Sequence, residues 1–559
     1  MPCAAAAEKR SAWTEAGIGV SVTGVGVEVP AWCRWRAGRG PALIVAPHGG
    51  ARRATRPRGP ADKVNDLHTA EVAAELAAAL DASLVVNATI DRNDLDLNRL
   101  SQVCARAPWF LDLLEHLLDG VIARHGCAEV LIVHGWNTTD AKCDLGVGRH
   151  LADVEAAAAH PDALTVSPRY AATRLAVLRD ACAAAGIAAP LGERYPARHP
   201  NNVLQLFRRG APHPAASPRL AAWAAAGCVE AVQLELSVPL RWPGRMRQAF
   251  IAALIATAPG GRPPMIARSG EPLPPHATGA HRGAPSSRGR GAPSFVAAAE
   301  RPRVGGVQVY DPAAGLGLSA RVDVGRDGAV ASRVLLFRGD REVALFTGET
   351  SRGAPLAGGP RFLPDADGFR LCFEGYLLVT GDGRLYVDLE SAFAASRLLA
   401  LRVDLRFAPL DEDYGRVTGA LAIDGQPHAL DAFGFARPAA APGASGDGWQ
   451  TQLSLQAAFA AAHALRLRHA VPGTTTLRQI GGPAAGPRAV SRLAVTFDAD
   501  PHTPCRIAVG DDLLAEAITR MAIRRPLGGG RTARVTFGVA RVTDAGVAGF
   551  GFYEYARAL

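Results

Sequence analysis

Four short runs of unbroken apolar residues mark the first half of the chain: "ALIVAP" (42–47), "SLVVNA" (83–88), "EVLIVHG" (129–135) and "AVQLEL" (231–236). Apolarity that is continuous rather than alternating predicts strands of a parallel sheet covered on both faces. Between the runs lie stretches with helical spacing, "TAEVAAELAAAL", "FLDLLEHLLDGVIARHG" and "YAATRLAVLRDACAAAG". Thr69 stands where it would cap the first of these, and Gly186 supplies a C-cap for the last. The alternation of strand and helix predicts an α/β domain with a mostly parallel sheet over residues 1–262.

The pattern then changes twice. "PGGRPPM" and "GEPLPPHATGAHRGAPSSRGRGAPS" carry Pro, Gly, Ser and Arg with few apolar anchors, which predicts an unstructured linker over 263–303. From Val304 to Leu559 short runs such as "GFRLCFEGYLLVTGDGRLYVDLE" and "ARVTFGVARVTD" alternate with Gly-Asp turns. "RDG", "RGD" and "TGDG" fit hairpin loops. This region is expected to be antiparallel β, in two sheets or half-barrels.

A length of 559 residues exceeds what one core usually supports, in keeping with this division. The formal charge of +9 is spread along the chain and points to no nucleic-acid surface. Nine dispersed cysteines without a CxxC pair predict reduced thiols and a cytoplasmic setting, not a disulfide framework. No apolar run approaches the ~20 residues of a membrane span.

In an open parallel sheet, ligands bind at the carboxyl ends of strands. His48 follows "ALIVAP" in "PHGG", whose glycines would let backbone approach a bound group. His134 ends "EVLIVHG", Glu235 lies in "AVQLEL", and Arg92, Asn98 and Arg99 follow "SLVVNA" in "NATIDRNDLDLNR". Two imidazoles and one carboxylate can hold Zn²⁺ with a position left open for water. A further carboxylate, Glu235, can act as general base, and arginines can grip a substrate carboxylate in a fork. Asp66, ahead of a helix, is the favoured third ligand, with Glu71 and His68 as alternatives. Asp94 and Asp96 are read as orienting Arg92 and Arg99, and Trp136 as a pocket wall or core residue. Glu235 could instead pair with Arg241 or Arg194. Cys143 has no neighbour that suggests a nucleophile.

"PHGG", "DRNDLDLNR", "IVHGWN" and "QLELSVPLR" resemble the N-formylglutamate amidohydrolase family, itself similar to the zinc carboxypeptidase and aspartoacylase group, over roughly residues 40–258. The resemblance implies a phosphorylase/hydrolase-like α/β fold. It also implies zinc held by His48, His134 and a third ligand, a substrate carboxylate bound by Arg92, Asn98 and Arg99, and Glu235 as base. Arg92 would also polarise the scissile carbonyl. The acid expected three residues after the first histidine is absent, Ala51 standing there. "YGRVTGALAIDGQPHALDAFGFARP" and "GFGFYEYA" resemble the double-lipocalin-type domains of the hydroxyneurosporene-synthase group, which implies lipocalin-like halves. His428 and Asp431 are read as turn residues there. The expected activity is metal-dependent hydrolysis of an amide in a carboxylate-bearing N-acyl amino acid or peptide. The other reading is a non-catalytic binding protein whose β region holds an apolar ligand.

Overall fold

A computed structural model describes residues 20–21, 28–50, 63–151, 158–159, 161–258 and 304–558, omitting from the last range 325–329, 340–341, 351–358, 384–385, 387–388, 412, 439–450, 461–462, 472–474, 481–485, 489, 491, 498–503 and 527–531. The expected linker, Ala51 and the "RDG" turn lie outside the described residues.

The first half is built on a six-stranded sheet: β1 (Cys33–Arg36), β2 (Ala42–Ala46), β3 (Ser83–Asn87), β4 (Ala128–Gly135), β5 (Cys143–Gly146) and β6 (Val229–Leu236). Their order is β1-β3-β2-β4-β6-β5. The central pairings β3–β2, β2–β4 and β4–β6 are parallel, while β1 and β5 add antiparallel edges, so the sheet is mixed. Helices α1 (Thr69–Ala79), α2 (Leu100–Arg106), α3 (Pro108–His125), α4 (Ala176–Ala184), α5 (Pro218–Ala226), α6 (Val238–Arg241) and α7 (Arg245–Thr257) follow in chain order. Both faces are covered. Leu76, Phe250 and Leu254 pack on one side with Ile44 and Val133; Phe110, Leu114 and Leu118 pack on the other with Leu43 and Ile132. Neighbours along β2 and β4 thus bury opposite faces, which is why these strands read as unbroken apolar runs.

The connection leaving β2 goes to β3 on one side, and that leaving β4 goes towards β6 on the other. A crevice therefore opens at the carboxyl ends of β2 and β4, the usual ligand position in such sheets. Thr69 does not cap α1. His68 holds the cap position with φ 66° and no side-chain cap bond, and the Thr69 hydroxyl instead donates to the Asp66 carbonyl at 2.6 Å.

The second half is antiparallel throughout. Its first sheet has nine strands: β7 (Val304–Asp311), β8 (Leu316–Val324), β9 (Val330–Arg338), β10 (Glu342–Thr350), β11 (Arg361–Asp365), β12 (Gly368–Thr380), β13 (Arg397–Pro409), β14 (Tyr414–Ile423) and β15 (Gln426–Pro438). Pairing of β10 with β12 closes it into a barrel around Leu318, Phe346, Phe373 and Leu405. A second nine-stranded sheet runs from Thr451 to Ala558, and among the described residues no pairing closes it, leaving a half-barrel. A lipocalin-like description fits this region coarsely. The "TGDG" segment opens the connection between the paired strands β12 and β13, a connection long enough to hold α8 (Leu389–Ala394). His428 and Asp431 are not turn residues either. Both lie on β15, where Asp431 pairs with the exposed Arg416.

The two halves touch beside the crevice. Val238 and Trp242 pack with Leu378 and Phe393, and the Trp242 indole N–H donates to the Ser396 carbonyl at 3.3 Å. Among the described residues no helix is long and apolar enough to cross a membrane.

Candidate metal centre

Three side chains converge at the crevice. Asp66 Oδ2 lies 3.1 Å from His48 Nδ1 and 3.1 Å from His134 Nδ1. The two imidazoles meet edge to face with centroids 4.7 Å apart. All three residues are buried, and their ligand atoms fall within 4.8 Å of one another. Each arrives for a local reason. His48 and His134 are the polar residues at which two buried strands end, and Asp66 precedes α1, its backbone N–H donating to the His48 carbonyl at 3.0 Å.

A two-histidine, one-carboxylate donor set suits zinc or a related divalent ion, whose ligand atoms sit about 3–4 Å apart in a tetrahedral site. His134 Nε2 is also buried without a hydrogen-bond partner, an expensive state that attaches the ring to the site by Nδ1 alone. The residues therefore fit a metal. Burial pushes the Asp66 carboxyl up, but the Arg92 charge and the hydrogen bonds from His134 and His48 outweigh it and hold it well below the usual range. Burial also takes His134 down to about 4, against the pull of Asp66, so its ring is neutral at physiological pH as a ligand must be.

The alternatives to Asp66 turn elsewhere. Glu71 lies 3.7 Å from His68 on the exposed side of α1, and His68 packs on Trp242 at 4.6 Å. Asp96, read from sequence as an orienter of arginines, does more. Its Oδ1 lies 2.6 Å from His48 Nε2, and its Oδ2 lies 3.3 Å from Arg99 Nε and 3.9 Å from Arg92 Nη2. Carboxylates behind metal-ligating histidines commonly fix the ring in this way. Asp96 is buried between Leu95 and Leu97, which are buried too, and no sequence signal marked it out from Asp94. Asp94 stays exposed and does not join.

Arg92 is largely committed, with Nη1 3.1 Å from Asp66 Oδ1. Arg99, its side chain 46 % exposed, keeps surface to offer a substrate. Asn98 faces the loop after residue 200, its side-chain Oδ1 accepting from the Val203 N–H at 3.4 Å and its backbone carbonyl from the same N–H at 3.2 Å. Glu235 stands opposite His134 in the β4–β6 register, so both side chains leave the sheet on one face. It accepts from Gln233 Nε2 at 2.8 Å, while the Arg241 guanidinium donates to Leu67, Trp136 and Asn137. Burial, together with the nearby charges of Asp66 and Asp144, raises its carboxyl well above the ordinary range.

The glycines of "PHGG" are closely packed by neighbouring chain. A Cβ on Gly49 would lie 2.7 Å from the Ala70 Cβ, and one on Gly50 would lie 2.2 Å from the Ile90 carbonyl oxygen. Trp136 is buried against Tyr195, with rings 5.4 Å apart, and Cys143 is buried in β5.

No protein-family model matches the chain, and no curated protein matches it. Several solved structures are similar to parts of it. N-formylglutamate amidohydrolase from Ralstonia eutropha JMP134 shares 14 % identity at a TM-score of 0.28, covering 40 % of this chain and 96 % of its own. A gene product of Agrobacterium tumefaciens shares 13 % identity at a TM-score of 0.26, covering 40 % and 88 %. An AttH protein from Nitrosomonas europaea shares 12 % identity at a TM-score of 0.28, covering 45 % and 90 %. Scores this low support no inference about activity, and the reading of the site rests on its own geometry.

Proposed function

We propose that the first half is a metal-dependent amidohydrolase acting on a carboxylate-bearing substrate such as an N-acyl amino acid or short peptide. The observation that carries this reading is the convergence of His48 Nδ1, Asp66 Oδ2 and His134 Nδ1 at a strand-end crevice. Zinc is the ion this donor set favours. When bound, such an ion acidifies water, polarises a carbonyl and draws Glu235 towards its ionised form. Glu235 accepts the proton and passes it to the leaving amine. Arg99, with Arg92 and Asn98 behind it, holds the substrate carboxylate, Arg92 also facing the scissile carbonyl. Asp96 keeps the His48 ring in orientation. The test is Glu235→Gln: turnover of N-acyl amino acids should fall by about two orders of magnitude or more while zinc affinity is kept. Full turnover by that variant would remove the proposed base.

A second reading concerns the β half. A cleft of about 310 Å³ lies at the seam of the two sheets, lined by Tyr310, Phe433, Phe435, Phe459, Phe550 and Phe552, with Gln308 and Gln456 among the polar groups. Its aromatic walls favour an apolar ligand. Native mass spectrometry of the purified chain tests this: a bound apolar molecule that Phe550→Glu expels supports it, and a chain that takes up no apolar probe counts against it.

A further inference from the structure

Arg241 has no part in the chemistry above, yet it is fully buried beside it. It closes the short turn α6 that follows β6. Its guanidinium ends are spent on two backbone carbonyls and one side-chain amide: Nη1 donates to the Leu67 carbonyl at 2.8 Å, and Nη2 donates to the Trp136 carbonyl at 3.1 Å and to Asn137 Oδ1 at 2.8 Å. Leu67 is the residue after Asp66, and Trp136 is two residues after His134. One planar fork therefore ties together the two segments that carry two of the three candidate ligands.

The surroundings are built around this fork. Gly135, next to His134, leaves the room it needs, since a Cβ there would lie 2.5 Å from Nη1 and 2.7 Å from Cζ of Arg241. The Trp242 ring covers the guanidinium at 5.2 Å. The Arg241 carbonyl is itself held by Arg247 Nη1 at 2.8 Å, and Arg247 is paired with Glu75 on α1. Burying a cation whose Nη1 and Nη2 bonds go to carbonyl and amide oxygens is costly. Hydrogen bonds in such a site are correspondingly strong and directional.

We infer that Arg241 is a positioning residue of the metal centre, setting the separation of Asp66 and His134 through its two backbone carbonyls. The inference rests on the metal reading above. It differs from a charge effect in one respect: a lysine keeps the charge but has no rigid fork to span two carbonyls.

The experiment is zinc affinity of the full chain, measured by competition with a chromophoric chelator, for wild type, Arg241→Lys and Arg241→Met, with circular dichroism to show that each is folded. Residues behind metal ligands typically contribute about 10–100-fold in affinity. Both variants are expected to lose at least about tenfold. Folded variants that bind as wild type does, or full rescue by lysine, would overturn the inference. Should neither variant fold, the half-buried Asn137→Ala removes one acceptor and leaves the core intact. A severalfold loss supports the fork, and an unchanged affinity overturns it. Failure of the wild-type chain to bind zinc at all is a separate result: it sinks the metal reading itself, and this inference with it.

Discussion

Asp140 sits where the rim of the site meets the β half, and its ionisation should be measurable as stability. It is 7 % exposed, and burial raises its carboxyl to about 6 despite the Thr138 hydroxyl and Lys142 nearby. The bonding explains why a proton is tolerated. Thr138 Oγ1 has one hydrogen and two acceptors, Asp140 Oδ1 and the Thr347 carbonyl at 2.7 Å. With a proton on Asp140, that carboxyl can donate to Thr138, and Thr138 to Thr347, so every group is satisfied. The folded value lies above the unfolded one of 3.8, so the contribution is fully present below about pH 4 and lost as pH rises through about 6. Two units at about 1.4 kcal/mol each give a penalty of about 3 kcal/mol at neutral pH. Asp140→Asn mimics the protonated form and should remove it. Urea unfolding followed by tryptophan fluorescence from pH 4 to 8 reads the difference, with Trp136 and Trp242 close to the segment. His134 titrates in the opposite sense over the same range, its folded value being lowered, but its contribution cancels between variant and wild type. The variant should match wild type near pH 4 and exceed it by up to about 3 kcal/mol at pH 8. A difference that does not change with pH would refute the reasoning.

Three further outcomes follow from the same geometry. Arg92→Met removes the charge that most lowers Asp66, so protons should compete with zinc, and affinity should fall much more at pH 5.5 than at pH 8; equal losses at both would show that Arg92 does not set that carboxyl. Gly50→Ala forces a Cβ to within 2.2 Å of the Ile90 carbonyl oxygen and should lower the stability of the first half by about 1–3 kcal/mol, which thermal unfolding would show or deny. Trp242→Ala empties a buried contact with Phe393 and should lower stability by about 3–5 kcal/mol and let the two halves melt separately; an unchanged single transition would mean the contact does not couple them.

The central strands could be read from sequence because they are buried on both faces, so apolar runs at 42–47, 83–88, 129–135 and 231–236 overlap β2, β3, β4 and β6 almost completely. The edge strands could not. "CRWR" in β1 and "CDLG" in β5 are only four residues long and mix polar with apolar positions, so neither stands out as an apolar run. The rim residues were visible as polar groups at strand ends, but their partners were not. Asp96 against His48, and the fork of Arg241 on Leu67 and Trp136, depend on contacts 48 to 174 positions apart in the chain. The packing around "PHGG" was hidden for a related reason: the contacts of Gly49 with Ala70 and of Gly50 with Ile90 depend on residues 21 and 40 positions away.

Metal content tests the central claim most directly. Wild-type full-length chain, loaded with Zn²⁺ and desalted, should retain about one ion per chain, and the His48→Ala/His134→Ala variant, folded by circular dichroism, should retain none. Equal retention by the two, or none by wild type, would contradict the metal centre.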